Sequence, residues 1–140
     1  MGAATSGEPG CVFCDIVHQR LPAHTFYQDD EAIAFLDLYP HTRGHLLIVP
    51  RRHYERITDL PESEFHDFLQ AVSNVCRRVD RLSRHYHVSM NQGTLAGQVV
   101  FHLHVHIIPR YGPENPFGSD PRKKLDDAEA REVSGILSPP

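Results

Sequence analysis

The stretch Val99-Val100-Phe101-His102-Leu103-His104-Val105-His106-Ile107-Ile108 decides the fold prediction, because it has the composition of a β-strand and Pro109 ends it. Side chains alternate between the two faces of a strand, so His102, His104 and His106 are expected on the same face. The apolar residues between them are then expected to face a core: Phe101, Leu103, Val105 and Ile107. Three imidazoles in a row are costly to bury unless each has a partner, which favours a functional site over three unrelated histidines.

Two chemistries fit imidazoles at this spacing. Alternate strand positions can place two imidazoles on one metal ion. In the other chemistry, one imidazole attacks an electrophile while its neighbours set its tautomer. Upstream, Gly97-Gln98 can bring backbone N–H groups close to an anion, and Asn91 adds a neutral hydrogen-bonding side chain. A phosphate ester or anhydride would suit such a place.

The remaining pattern predicts four more strands, over residues 25–28, 32–38, 45–49 and 87–91. Pro61 followed by Glu62 and Glu64 is typical of a helix start. This helix has one apolar stripe, formed by Phe65, Phe68, Leu69, Val72, Cys76, Val79 and Leu82. Residues 124–137 predict a short C-terminal helix. The order of elements favours an α+β fold with a largely antiparallel five-stranded sheet, one long helix and a short C-terminal helix.

Length and composition are those of one globular domain: 140 residues, of which 40% are hydrophobic and 23% charged. The formal net charge of -4 argues against a broad electrostatic contact with nucleic acid. We find no signal peptide and no apolar run of the roughly 18 residues that span a bilayer, and the odd count of three cysteines argues against a disulfide framework. These features favour a cytoplasmic protein without a membrane partner.

The chain is expected to have three parts. Residues 1–10 are small and polar and predict a disordered tail. Residues 11–112 contain the predicted strands and long helix, and residues 113–140 form an extension that contains the short helix.

The sequence resembles the histidine triad (HIT) family, and within it the bacterial-type Hint-like branch, over nearly all of residues 11–111. The resemblance is carried by His-x-His-x-His followed by Ile107 and Ile108. Residues 35–37, 44–50, 91–93 and 96–98 supply further matches in the same order. The resemblance implies a HIT-like fold that pairs into a homodimer with a continuous sheet.

The resemblance also implies an activity. In this family the middle histidine attacks the α-phosphorus of a nucleotide and forms a nucleotidyl-histidine, which water then hydrolyses. That residue is His104 here, with His106 at the phosphate and His45 in the same pocket. The implied substrate is a purine nucleoside phosphoramidate or a related mononucleotide, and no metal is required for the chemistry.

Further positions match the family's nucleotide-binding residues. Asp37 matches the carboxylate that accepts from the ribose hydroxyls, while Asn91, Gly97 and Gln98 match residues near ribose or phosphate oxygens. The apolar slot for the base is matched by Phe13, Ile16, Phe35 and Leu38, which could equally be ordinary core residues. One position departs from the pattern: relatives carry Ser or Thr directly after the Gly-Gln pair, whereas this chain has Val99.

A second site is indicated by Cys11-x-x-Cys14, which has the spacing of half a zinc site. By resemblance to bacterial members, His53 and His102 complete a Cys₂His₂ set that would hold a structural Zn²⁺. The alternative is two reduced cysteines at a domain edge. Cys76 is expected to be a small core residue of the long helix.

Three other functions remain open from the sequence. The first is a dinucleoside polyphosphate hydrolase, and the second is a non-catalytic nucleotide-binding protein in which Val99 marks lost activity. The third is a metalloenzyme that uses the triad histidines as ligands, although no carboxylate lies nearby in the sequence. The other histidines are expected at the surface, among them His18, His24, His41, His66, His85 and His87.

Overall fold

The structure is a computed structural model that describes residues 8–117 and 122–139. Its elements follow the order α1 (Val12–Val17), β1 (Thr25–Gln28), β2 (Ala32–Leu36), β3 (Leu46–Pro50), α2 (Glu62–Val79), β4 (Tyr86–Ser89), β5 (Val105–Pro109) and α3 (Asp127–Leu137). Short 3₁₀ turns lie at Ile57–Asp59 and Thr94–Ala96. Most of the predicted N-terminal tail, residues 1–7, lies outside the described residues.

The five strands form one antiparallel sheet in the spatial order β1-β2-β3-β5-β4. The strand that carries His106 is therefore an inner strand. His106 is paired with Leu47 of β3 on one side and with Ser89 of β4 on the other. The predicted α+β fold with a largely antiparallel five-stranded sheet, a long helix and a short C-terminal helix is confirmed.

The sheet is covered on both faces. On one face, α2 and α3 pack on a core that contains Leu46, Ile48 and Leu103. On the other face, α1 covers a smaller cluster that contains Phe35 and Val49. The sequence did not predict α1, because its six residues are too few to show a helical period; Cys11 is its N-cap.

The predicted apolar stripe of α2 is partly wrong. Phe65 and Leu69 are exposed, at 41% and 55%. Ala71 and Val75 are fully buried instead. From Phe68 onward, the buried residues of α2 recur every three or four positions and form one face. Phe65, which precedes this face, and Leu69, which lies beside it, point to solvent.

The predicted strand over residues 99–108 is correct only in its second half. Leu103 already leaves the ladder, because its N–H donates to the backbone oxygen of Tyr54 at 2.6 Å. Pairing with β3 ends at Ile48 and Val105. Phe101, expected in the core, is 45% exposed as a result, whereas the apolar residues from Leu103 onward are buried as predicted.

The C-terminal helix α3 is confirmed, and it is tied to α2. Arg78 of α2 donates from Nη1 to the backbone oxygen of Leu137 at 3.2 Å. Ahead of α3, the N–H of Leu125 donates to the backbone oxygen of Leu38 at 2.7 Å, which brings the extension alongside the loop after β2. No helix in the described ranges combines the length and the apolar character needed to cross a bilayer.

Candidate active site and metal cluster

A cavity of about 550 Å³ opens between α1, the loop after β2, the loop 91–100 and the histidines at the start of β5. It gathers residues that lie far apart in the sequence. The predicted site residues that line it are His104, His106, Asp37, Asn91, Gly97, Phe13, Ile16, Phe35 and Leu38. Of the remaining predictions, His45 lies behind His106, and Gln98 is held in the adjacent loop.

His104 presents an unprotonated nitrogen to this cavity. Its Nδ1 lies 2.7 Å from the backbone oxygen of His102. A carbonyl oxygen only accepts hydrogen bonds, so Nδ1 carries the proton and Nε2 keeps its lone pair. Burial lowers the pKa of His104 below its ordinary value, which keeps the ring neutral at pH 7. A neutral imidazole with a free Nε2 is the form that acts as a nucleophile.

His45 and His106 form a chain of directed hydrogen bonds. The backbone N–H of His41 donates to Nδ1 of His45 at 3.0 Å, so the proton of His45 resides on Nε2. That Nε2 lies 3.0 Å from Nδ1 of His106, which must accept. The proton of His106 is then on its Nε2. Burial lowers the pKa of His45 to about 3 and that of His106 to about 4, so both rings are neutral donors at pH 7.

Asp37 supplies the carboxylate of the site. One of its oxygens accepts from the backbone N–H of Tyr39 at 2.8 Å, and the other lies 3.5 Å from Nε2 of His45. Burial raises the pKa of Asp37, and the Tyr39 N–H and the positive charge of Arg122 both oppose that shift.

The same three side chains could be mistaken for a metal site. Atoms of Asp37, His45 and His106 lie within 4.8 Å of one another, and two histidines with one carboxylate are a known metal-binding set. A carboxylate, absent near the triad in the sequence, is thus brought to it by Asp37. However, Nε2 of His45 carries its proton, because Nδ1 accepts from a backbone N–H, and a protonated nitrogen has no lone pair for a metal. The hydrogen-bonding pattern argues against a metalloenzyme.

The side chain of Gln98 is held inside the loop beside the cavity. Its side chain is buried, and its Oε1 accepts from the N–H of Gly93 at 2.7 Å. Its Nε2 donates to the backbone oxygens of Glu55 and Val100 at 3.1 and 3.2 Å. The carboxamide thus fixes the loop that forms one wall of the cavity. Val99, the next residue in this loop, lies at the mouth of the cavity and is 82% exposed.

Two basic residues of the cavity were missed by sequence reasoning. His41, predicted at the surface, stacks on His45 with ring centroids 5.4 Å apart and an angle of 15° between the planes. Its only sequence signal is a position four residues before His45 in a Pro- and Gly-containing loop. Arg122 also lines the cavity and comes from the C-terminal extension, which carried no motif.

The second cluster consists of the four predicted metal-ligating residues. Nδ1 of His102 lies 3.4 and 3.5 Å from the sulfurs of Cys11 and Cys14, and Nδ1 of His53 lies 3.3 Å from the sulfur of Cys14. Tetrahedral zinc would separate a sulfur and a nitrogen ligand by about 3.6 Å. Nε2 of His102 donates to the backbone oxygen of Pro50 at 2.8 Å, so its Nδ1 lone pair faces the sulfurs. The four residues could hold a metal ion.

Comparisons with known proteins place the chain in one family. The HIT domain model matches residues 18–112. An uncharacterized HIT-like protein of Methanocaldococcus jannaschii is 38% identical over 129 residues, which cover 89% of this chain and 99% of the relative.

Two solved structures share the fold. A hypothetical histidine triad nucleotide-binding protein from Sulfolobus tokodaii matches with a TM-score of 0.81 at 32% identity, covering 91% of this chain and 89% of that one. A zinc-bound histidine triad family protein from Mycobacterium smegmatis matches with a TM-score of 0.74 at 31% identity, covering 91% and 93%. The chain therefore belongs to the histidine triad family.

Proposed function

We propose that the protein is a nucleotide hydrolase that forms a nucleotidyl-histidine on His104. The observation that carries the proposal is the hydrogen bond from Nδ1 of His104 to the backbone oxygen of His102, because it leaves Nε2 unprotonated and directed at the cavity. The substrate we favour is a purine nucleoside 5′-phosphoramidate or a related mononucleotide. The cavity volume of about 550 Å³ suits a ligand of that size.

The reaction proceeds in two displacements. Nε2 of His104 forms a bond to the α-phosphorus while the bond from phosphorus to the leaving nitrogen breaks, and the departing amine takes a proton from water. The hydrogen bond of Nδ1 to His102 stabilises the charge that the ring gains. Nε2–H of His106 donates to a phosphate oxygen. Water then attacks phosphorus and gives up a proton to solvent, the bond to Nε2 breaks, and a nucleoside monophosphate is released.

The walls of the cavity offer an apolar end for the base and a carboxylate for the ribose of the nucleotide. The ring of Phe13 lies 5.6 Å from that of Phe35 at an angle of 61°, and both line the cavity together with Ile16. We propose that this apolar end takes the base. Asp37 would then accept from the ribose hydroxyls, as carboxylates do in other nucleotide sites.

The decisive experiment compares His104→Ala with the unmodified chain on adenosine 5′-phosphoramidate, with AMP release followed over time. We expect turnover to be abolished and binding of AMP to be retained. Mass spectrometry after an alkaline quench, which preserves the acid-labile bond between phosphorus and the histidine nitrogen, should find an adenylyl group on a peptide containing His104 only in the unmodified chain. His66→Ala is the control, because His66 is exposed on α2 and is not among the residues lining this cavity.

The competing functions give different results in the same assay. A dinucleoside polyphosphate hydrolase would cleave diadenosine tetraphosphate faster than the phosphoramidate. A non-catalytic binding protein would bind AMP but release none from either substrate. A metalloenzyme would lose activity in chelator at once and would show no adduct on histidine.

We further propose that the cluster of Cys11, Cys14, His53 and His102 binds a structural Zn²⁺. Two sulfurs and two imidazole nitrogens with near-tetrahedral spacing support this assignment. All four protein ligands would be used, so the ion would have no open position for substrate and would not contact the reacting atoms.

We also propose that the protein is a homodimer that pairs through β4. This strand lies at the edge of the sheet, and its Val88 is 51% exposed beside the 41% exposed Met90. An edge of this kind is normally covered. Analytical ultracentrifugation should give twice the mass of the chain, and Val88→Lys should shift the species toward monomer.

A further inference from the structure

An anionic phosphate would need a positive charge in this cavity, and the histidine triad does not supply one. His45 and His106 are neutral at pH 7, since burial lowers the pKa of each ring. Asp37 contributes a carboxylate. Among the described residues that line the cavity, Arg122 alone carries a permanent positive charge. Without it, the cavity would be net negative and would repel a phosphate.

Arg122 is held at this place by the fold. Three residues further along, the N–H of Leu125 donates to the backbone oxygen of Leu38 at 2.7 Å, and the side chain of Leu125 packs on the main core. Leu38 directly follows Asp37 in the sequence. The extension is thus fastened beside the carboxylate. The positive charge of Arg122 opposes the rise that burial causes in the pKa of Asp37, and it adds to the fall that burial causes in the pKa of His45 and of His106.

The guanidinium of Arg122 lacks a carboxylate partner within residues 8–117 and 122–139, where no ion pair closer than 4 Å includes it. Three other described arginines, Arg20, Arg43 and Arg52, are paired with carboxylates. Arg52, for example, lies 3.3 Å from a carboxylate oxygen of Glu31 and 3.2 Å from one of Glu64. A half-buried guanidinium beside neutral donors is well suited to an anion, because it offers a planar set of N–H donors that matches phosphate oxygens.

We propose that Arg122 binds the phosphate of the nucleotide and is the residue that makes this cavity selective for nucleotides over nucleosides. The inference rests on the proposed function for the identity of the ligand. Arg122 lies outside residues 18–112, which match the family domain, so this contact would come from the segment that follows the matched domain.

The test uses AMP and adenosine as probes, titrated by calorimetry into the full chain at low salt. AMP is a product and is not turned over, so binding is measured independently of catalysis. The variants are Arg122→Gln, which removes the positive charge, and Arg122→Lys, which keeps the charge but lacks the planar set of guanidinium N–H donors. Lys123→Gln is the matched control, because it changes the net charge equally at an exposed neighbour that is not among the cavity-lining residues.

We expect Arg122→Gln to raise the Kd for AMP about tenfold to a hundredfold, with Arg122→Lys in between and the Kd for adenosine unchanged. Lys123→Gln should leave both values unchanged. Equal weakening of AMP and adenosine, or an equal effect of Lys123→Gln, would overturn the inference. If AMP binds and Arg122→Gln has no effect, the role of Arg122 alone is wrong. If AMP does not bind the unmodified chain, the inference and the proposed substrate class both fail.

Discussion

The backbone oxygen of His102 accepts from Nδ1 of His104 at 2.7 Å, while the side chain of His102 lies 3.4 Å from the sulfur of Cys11. One residue therefore belongs to both sites: its side chain to the metal cluster and its carbonyl to the nucleophile. This carbonyl sets the tautomer of His104. A displacement of the cluster residues should therefore lower kcat.

We expect Cys11→Ser to lose about one zinc per chain by elemental analysis and to lower both the melting temperature and kcat. The loss of stability follows because zinc binds structural sites with roughly 10–16 kcal/mol, part of which stabilises the fold. The loss of kcat follows because the His102 backbone would shift. Calorimetry and the AMP-release assay measure the two effects.

Cys76→Ser is the matched control for that experiment. Cys76 is a half-buried cysteine on α2 and is not part of the cluster. It should keep its zinc and its kcat. Full stability of the unmodified protein in strong chelator would show that zinc has no structural role here.

Val99→Ser is expected to raise turnover on the phosphoramidate. Val99 lines the mouth of the cavity and offers no proton to the leaving nitrogen, whereas a serine hydroxyl could donate one. The side chain is 82% exposed, so the change should leave stability unaltered. Val99→Ala serves as the control for size alone. Unchanged or slower turnover in the serine variant would argue against a leaving-group role at this position.

Gln98→Ala is expected to act on stability first. Its carboxamide satisfies the N–H of Gly93 and the carbonyls of Glu55 and Val100, and these groups would lose a buried partner. We expect the free energy of unfolding to fall by about 1–3 kcal/mol in urea denaturation. If the variant is as stable as the unmodified chain but has a lower kcat, the result would indicate that Gln98 contacts the phosphate directly.

Acid should weaken the fold through His45. Its pKa is about 3 in the folded chain and 6.5 as the reference value, so below pH 6.5 the unfolded chain takes up a proton that the folded chain does not. This single ring should lower the free energy of unfolding by up to about 1.4 kcal/mol for each pH unit between 6.5 and 5. Urea denaturation at pH 7, 6 and 5 measures the slope.

In the same series, His45→Gln should reduce the loss of stability toward acid, because it removes one of the buried rings that are protonated only on unfolding. The exposed His66→Gln should retain the slope of the unmodified chain. Equal slopes in all three proteins would mean that His45 is accessible to protons in the folded state.

The sequence predicted the sheet, the long helix and the alternation from Leu103 to Ile107, because these depend on local periodicity. It overestimated the length of the last strand, because the point where pairing ends depends on β3, which is distant in the sequence. The stripe on α2 failed at Phe65 for a similar reason: exposure is set by what the helix packs against.

The candidate site shows the same division. Resemblance placed Cys11 beside His102, a contact across 91 positions that no local pattern contains. Neither pattern nor resemblance revealed His41 or Arg122. His41 lies in a loop without periodicity. Arg122 lines the cavity beside a contact that no local pattern contains, the hydrogen bond from the N–H of Leu125 to the backbone oxygen of Leu38.

The short helix α1 places Phe13 against the ring of His104 and the adjacent Cys14 against His53. Because that helix precedes residue 18 and Arg122 follows residue 112, a recombinant fragment cut to the boundaries of the HIT domain match would be missing two sulfur donors, an aromatic wall and a cation. Such a fragment could retain the sheet and still be inert, so assays intended to assign an activity need the flanking segments as well.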